Sequence, residues 1–498
     1  MSKHIDETKR RFCKVAGLAG AALMLDLPGS LRQAAATEVP GKGAGKRASG
    51  ERPITFRDAV ERLKRSGDVV SVKRPVDPKY EMGALLWQNE QKGKATRFEN
   101  VRGRKIPAVG GIYQSWERIG LALGVTGRFG QPGMYSLFQS AMAKPILPQE
   151  VSTGPVKEVL LKGAHIDLST LPIPTLFEGD GAPYITAGVG ICRNPETKAY
   201  NIGVYRMQLV DKDQILVWAF PGSDLHAIYK AYEKMGTEMD FAVAIGTDPA
   251  VFVTAVSKVP TDIDEMSVAG ALTGAAVKVT KCETVDLLVP AATEILLEGK
   301  IDPKKRTMDG PFADHGGIYK GNASPTLRVT AITHRRNPLF HVVLAGDSME
   351  HCTTSEILAC FWGRNMLDHL QSRFDGVKDV HLSWHGGTKK WAIVSLSKKR
   401  SASEPQEIIP EVFNLTSQRY AMVPVSSFLR AVIVVDEDVD IYDPKEVLWA
   451  VGTRLADSVV LQADKAKGYE IRIGLDATKP IGAPPDKDRH VRTKPLSL

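Results

Sequence analysis

Residues 308–317, Met-Asp-Gly-Pro-Phe-Ala-Asp-His-Gly-Gly, set two carboxylates, Asp309 and Asp314, five positions apart. Gly310-Pro311 and Gly316-Gly317 break both helix and strand, so the segment reads as a loop. Phe312 offers an apolar wall between the acids. Such a pair suits proton transfer when one acid is desolvated and keeps its proton while the other is held charged. Without a cationic partner, the same residues make an ordinary turn in which Asp bonds its own backbone. The segment therefore carries chemistry only if other parts of the chain bring partners to it.

Those parts fall into three textures. Between 51 and 150 helices and strands alternate, which predicts a small N-terminal α/β domain. Thr55 and Asp58 form a capping box ahead of a helix with Phe56, Val60 and Leu63 on one face. Strands are expected near 68–76, 98 and 106–111, with helices over 82–91 and 116–123. From 151 to 345 short β-rich runs dominate, at 156–161, 185–192, 203–209, 214–220, 242–245, 251–256, 277–279, 287–289 and 327–332. Two helices, 225–235 and 292–297, interrupt them. This is the pattern of a β-barrel or sandwich with helical decoration. From 346 to 480 a helix (355–370) leads into strands at 380–384, 391–396 and 432–435 and a helix opened by Pro444, which predicts a second α/β domain.

The chain has 498 residues and a net charge of +8, but residues 1–50 alone carry nine Lys/Arg against four Asp/Glu. The remainder is nearly neutral, which excludes a nucleic-acid-binding body with a basic face. Five cysteines, Cys13, Cys192, Cys282, Cys352 and Cys360, form no C-x-x-C pair, so neither a zinc ribbon nor a disulfide framework is expected. Buried free thiols are expected instead. Residues 1–36 read as an export signal: Lys9-Arg10-Arg11, an apolar stretch over 15–25, then Ala34-Ala35-Ala36 as a cleavage site. The leader resembles the twin-arginine type, with Lys9 for the first arginine and Cys13 for leucine. Residues 37–50 read as linker and 481–498 as a tail.

Several stretches together resemble the UbiD family of reversible decarboxylases, which use prenylated FMN. They include Thr186-Ala-Gly-Val-Gly-Ile-Cys-Arg, Asn201-Ile-Gly-Val-Tyr-Arg206, Ala244-Ile-Gly-Thr-Asp-Pro249 and Asp264-Glu-Met-Ser-Val-Ala-Gly. Val289-Pro-Ala-Ala-Thr-Glu, the acid loop, Ile332-Thr-His-Arg-Arg-Asn-Pro338 and Leu448-Trp-Ala-Val-Gly-Thr-Arg454 also match. The resemblance runs over residues 52–480. It implies a central split β-barrel that binds the flavin and a C-terminal domain that builds homodimers or larger homo-oligomers.

The resemblance also supplies the cation that the loop lacks. It implies an acid–arginine–acid triad of Arg206, Asp309 and Asp314, with Arg206 and Asp309 as the charged pair. Asp314 would protonate the carbon left after CO2 departs. An arginine holds a neighbouring carboxylate charged through a bidentate bond. Thr186, Asn201, Gly203, Val204, Tyr205, Arg206 and Glu265 match flavin-contacting positions. A divalent metal, usually manganese, and K+ would hold the flavin phosphate through Asn201, Glu265 and a histidine. Asp224 stands at that histidine's position and His226 lies two residues on; on an extended chain both would share one face. Asp309 replaces glutamate, and Ala313 replaces glycine. A lysine matching the family's phosphate contact is not found near 423–427. His334 and His341 read as structural, and His315 as a possible substrate contact. A flavin prenyltransferase of the UbiX type is implied as cofactor supplier, and a carboxylic acid, aromatic or α,β-unsaturated, as substrate. The alternative reading is a divergent flavin- or metal-binding protein without decarboxylase activity.

Overall fold

Thr55 opens the first helix, Phe56–Arg65, with both halves of the capping box in place. The Thr55 hydroxyl accepts from Asp58 N at 3.2 Å, and Thr55 N donates to Asp58 Oδ2 at 3.0 Å. The computed structural model describes residues 46–47, 53–126, 129–260, 263–383, 385, 387, 389–397, 399–415, 429–455, 459–464 and 470–481. The export leader, most of the linker and tail, and the 423–427 stretch lie outside the described residues. All that is described belongs to one unit, Gly43–Leu498.

The N-terminal helices Phe56–Arg65, Glu81–Glu90 and Trp116–Leu123 fall where expected, and Gln131–Ala143 adds a fourth. They accompany a four-stranded sheet of Val69–Val72, Ala95–Phe98, Ala108–Gly110 and Phe340–Val342. The last strand arrives from far along the chain and pairs parallel to Ala108–Gly110. The N-terminal layer is therefore completed by the segment that follows the central sheet.

The central sheet has nine strands. In spatial order they are Tyr200–Val204, Gly188–Arg193, Met239–Ile245, Ile295–Ala313, Tyr319–His334, Gln214–Val217, Met207–Asp211 and Tyr184–Ile185, and Val159–Lys162 also pairs with Tyr319–His334. The path does not close. Yet only Tyr205 and Arg206 separate Tyr200–Val204, at one edge, from Met207–Asp211, beside the other. Two residues span at most about 7 Å, so the sheet curls until its edges face each other without bonding. That is a split barrel.

Two expected elements exchange type. Residues 251–255 belong to a helix, Pro249–Ala255, which Val256 caps, and not a strand; Asp248 and Pro249 start it, and all seven of its residues are buried, so the apolar run has no amphipathic period to read. Residues 292–297 are not a helix: Ile295 begins the 19-residue strand Ile295–Ala313. That strand lies between Met239–Ile245 and Tyr319–His334, and Ile295, Leu296 and Leu297 are all fully buried. A strand covered on both faces buries more of these side chains than an amphipathic helix would, at about 1.5–3 kcal/mol each.

Glu294 locks this sheet to the first helix. It accepts a bidentate bond from Arg57, at 2.8 and 2.7 Å, and the Leu339 N–H at 2.9 Å, while fully buried. Glu294→Ala should lower unfolding stability by about 3–5 kcal/mol, because it leaves Arg57, Arg335 (3.5 Å from Glu294 Oε1) and a buried amide without their anion. Urea unfolding of variant and wild type checks this; a loss below about 1 kcal/mol would show that Glu294 does not join the layers.

The C-terminal region is an α/β layer, as expected. Its five strands run in the order Val377–Ser383, Trp391–Leu396, Ala431–Asp436, Glu470–Ala477 and Val459–Asp464. Helices Met349–Gln371, Glu404–Asn414 and Pro444–Arg454 accompany them. Cys192, Cys352 and Cys360 are buried free thiols and Cys282 is half-buried and free. His341 is buried among Phe56, Tyr113 and Phe252, the structural place read for it.

Candidate active site

The two links that cross the split of the sheet, Thr186 on one and Tyr205-Arg206 on the other, both line a cavity of about 640 Å³. Arg206 is the centre of its wall. Its guanidinium meets Asp309 in a bidentate pair, Nε to Oδ2 at 3.1 Å and Nη2 to Oδ1 at 2.5 Å. It lies over two rings, Trp218 at 5.4 Å and Phe312 at 5.3 Å. The side chains are 9% and 0% exposed, so neither charge is well hydrated. The shorter aspartate thus reaches the arginine directly. Asn322 completes the shell: its N–H donates to Asp309 Oδ1 at 3.1 Å, and its amide, oriented to satisfy both neighbours, accepts from Arg206 Nη2 at 3.0 Å.

The acid segment is not a free loop. Residues 308–313 end the long strand, and a two-residue bulge, Gly310-Pro311, interrupts its pairing between Asp309↔Asn322 and Phe312↔Lys320. Gly310 adopts φ +98°, which a side chain would resist. The bulge re-aims the strand, as bulges beside active sites do. Three contacts pin it. Gln208 Oε1 accepts Gly310 N at 2.7 Å, Asp180 Oδ1 accepts Ala313 N at 3.0 Å, and Gly181 N donates to Pro311 O at 2.7 Å. Gln208 lies two residues beyond Arg206, a spacing that a strand reading could have used; Asp180 left no such signal.

Asp314 departs from its expected setting. Phe312 packs against Tyr184 at 4.6 Å and under Arg206, while Asp314 faces cations. Its Oδ2 bonds the Lys320 ammonium and its Oδ1 accepts His315 N at 2.8 Å. Burial alone would raise its pKa, but its neighbours on the cationic side, with a protonated His315 and the Lys320 ammonium the strongest of them, outweigh burial and hold the carboxyl well below the usual range. Burial keeps the His315 imidazole neutral, so Lys320 is the partner that counts at neutral pH. Asp314 is therefore a carboxylate here and does not keep its proton against an apolar wall. His315 lines the cavity.

Asn201, Glu265 and Asp224 converge on another part of the wall. Glu265, at the start of helix Glu265–Thr273, accepts Ile202 N at 2.5 Å. Burial pushes its pKa up to about 8, and the Asp224 charge adds to that. Asn201 commits its NH2 to Tyr205 Oη at 3.1 Å, which leaves Oδ1 as the acceptor. Gly203 makes room for that tyrosine, since a Cβ there would lie 2.2 Å from the Tyr205 hydroxyl. Thr186 Oγ1 accepts Val343 N at 3.1 Å, and Gly203 and Val204 line the cavity.

Of the two candidates for the third group, Asp224 lines the cavity and His226 does not. Both lie on a helix, Asp224–Met235, and not on an extended chain. Two residues there turn the side chain about 200° away. Asp224 lines the cavity, bonds Lys258 through Oδ2, and keeps Oδ1 buried without a partner. Among the described residues no three His, Cys, Asp or Glu cluster as a metal site; here the third donor is an amide. Two carboxylates, one of them with a buried oxygen that has no partner, and one amide oxygen fit a hard divalent cation. Lys258 adds a positive charge that nothing in the sequence pattern flagged.

Three profiles of one family match the chain. The 3-octaprenyl-4-hydroxybenzoate carboxy-lyase (UbiD) N-terminal domain matches residues 60–128, the Rift-related domain 149–348 and the C-terminal domain 356–458. Among solved structures, an evolved dimeric form of the UbiD-class enzyme HmfF from Pelotomaculum thermopropionicum, in complex with prFMN, is 32% identical. It superposes with a TM-score of 0.76 over 89% of this chain and 97% of its own. Vanillic acid decarboxylase from Sedimentibacter hydroxybenzoicus, in open form, is 26% identical with a TM-score of 0.75, over 90% and 96%. Klebsiella pneumoniae 3,4-dihydroxybenzoic acid decarboxylase, at 22% and 0.75 over 89% and 97%, shares the fold. With all three domains matched in order, the chain belongs to the UbiD family of carboxy-lyases.

Proposed function

We propose that the protein catalyses the reversible, non-oxidative decarboxylation of an aromatic or α,β-unsaturated carboxylic acid with prenylated FMN as cofactor. One observation carries this reading: a buried Arg206–Asp309 pair, its guanidinium over the Trp218 and Phe312 rings, on the wall of a cavity that Asn201 and Glu265 also line. The flavin, when bound, supplies the electron sink for loss of CO2.

The chain's own residues do the rest. Arg206 binds the substrate carboxylate, and Asp309 and Asn322 fix its guanidinium plane. Trp218 and Phe312 exclude water from it, which strengthens the charge interactions. Asp314 passes a proton to the carbon that loses CO2, and Lys320, bonded to its Oδ2, stores that proton. Asn201, Glu265 and Asp224 hold a divalent cation, manganese with K+ in attendance, that neutralises the flavin phosphate, and Lys258 contributes to the same charge balance. We assign cofactor supply to a UbiX-type flavin prenyltransferase and assembly to a homodimer or larger homo-oligomer through the C-terminal domain. Export follows the twin-arginine route, which a reporter fused to residues 1–36 would test.

The deciding experiment is co-expression with a flavin prenyltransferase, followed by a visible spectrum, metal analysis and CO2 release from a panel of acids. Flavin binding without CO2 release from any acid would favour the divergent binding protein. Glu265→Gln should retain at least tenfold less flavin and metal after dialysis, because it removes one of two anionic ligands. Unchanged flavin and metal content in that variant would remove Glu265 from the cofactor site.

A further inference from the structure

The candidate cation site carries a cation of its own. Lys258 lies just past the helix Pro249–Ala255, and its ammonium bonds Asp224 Oδ2 on the wall of the large cavity. The two side chains are 27% and 19% exposed, so water screens the pair only in part. The Asp224 charge also reaches Glu265, and Lys258 opposes it there. Two carboxylates gathered at one site repel each other, and an ammonium on one of them offsets that repulsion.

The ammonium neutralises the donors without using them up. It takes one oxygen of Asp224, while Oδ1 stays buried with no hydrogen-bond partner. Glu265 gives Oε2 to Ile202 N, and Asn201 keeps its amide oxygen as an acceptor. Nor does Lys258 close the way to these groups. A small cavity of about 60 Å³ also reaches Asn201, Asp224 and Glu265, and Lys258 is not part of its wall. Ala227 and Pro260, which line it, are exposed. Lys258 therefore acts on an arriving ion through its charge and not as a plug. A metal ion on Asp224 Oδ1 would stand one carboxylate's width from the ammonium, and like charges that close repel strongly where water is scarce.

We propose that Lys258 is a resident counter-cation: it neutralises Asp224 while no metal is bound, and its charge then weakens the binding of a divalent ion. This rests on the reading of Asn201, Asp224 and Glu265 as donors to that ion. The opposite role for Lys258 is to hold Asp224 in place for the metal. The two roles differ in sign, since removing the ammonium strengthens metal binding in the first and weakens it in the second.

Mn2+ titration at pH 7 of the full-length protein, freed of metal by dialysis against a chelator, tests this, with the electron paramagnetic resonance signal of free Mn2+ as readout. Lys258→Met and Lys258→Gln should each bind Mn2+ about tenfold more tightly than the wild type, and Lys258→Arg should stay within about threefold of it. Thermal melting of the same preparations gives a second measurement. Without metal both neutral variants should melt below the wild type, and saturating Mn2+ should raise their Tm by more than it raises that of the wild type. Where the neutral variants do not fold without metal, Mn2+ in the refolding buffer should restore them. Unchanged or weaker Mn2+ binding in both neutral variants overturns the proposal, and so does a loss of folding that Mn2+ does not restore. Those results leave the donors themselves in place. A wild type that binds no Mn2+ removes the cation site and the part of Lys258 with it. None of these measurements needs CO2 release, so the decarboxylase reading is judged separately.

Discussion

Arg206→Ala is expected to lower decarboxylation by about 10³-fold and to destabilise the fold by about 3–5 kcal/mol. The two effects share one cause. Asp309 is fully buried beside Arg206, so removing the guanidinium leaves an uncompensated carboxylate that water does not reach. In catalysis the variant loses the donor pair that orients the substrate carboxylate, and misplacement alone is worth about 10² in rate. Arg206→Lys separates the contributions. It restores the charge but not the two parallel N–H bonds to Asp309, nor the flat face that lies over Trp218 and Phe312. Stability should recover by more than half while activity stays at least about 10²-fold down. Urea unfolding and CO2 release on the same preparations read both. Full activity in Arg206→Lys would mean that only a positive charge is needed there.

The parts of this site that could be read from the sequence are those carried by local order. Asn201 and Arg206 sit five apart on one segment, as do Asp309 and Asp314 on another, and the structure brings both segments to one cavity. What escaped the reading came from partners distant in the chain or from a misjudged local period. Lys258 reaches Asp224 across 34 residues, and Asp180 reaches Ala313 across 133, with no pattern to announce either. The choice between Asp224 and His226 turned on periodicity, since an extended chain puts them on one face and the observed helix does not. The same ambiguity exchanged strand and helix at Pro249–Ala255 and at Ile295–Ala313. In both, burial on all sides erased the polar marks that distinguish the two periods. The layer architecture survived these errors because it depends on the alternation of elements over 100 residues or more, and not on any one of them.

Asp314 shows where composition misled most, and Asp314→Asn is the second large effect expected. Phe312 looked like the wall that would keep its proton in place. Lys320, six residues on across the hairpin, keeps the group charged instead. A carboxylate bonded to an ammonium still delivers a proton if the ammonium gives one up as charge builds on the substrate carbon. That pathway needs both groups. The amide of Asp314→Asn would hold the same shape without accepting the proton from Lys320, so turnover should fall by about 10²–10⁴-fold. Exchange of the substrate's hydrogen with solvent, followed by NMR in deuterated buffer, should fall in parallel. Lys320→Met should lose a comparable factor, and the double variant should lose little more than either single one, as residues acting in one unit do. Wild-type exchange in Asp314→Asn would remove the acid from proton delivery. A double variant whose losses multiply would separate Lys320 from it, and would leave Asp314 to draw its proton from water in the cavity.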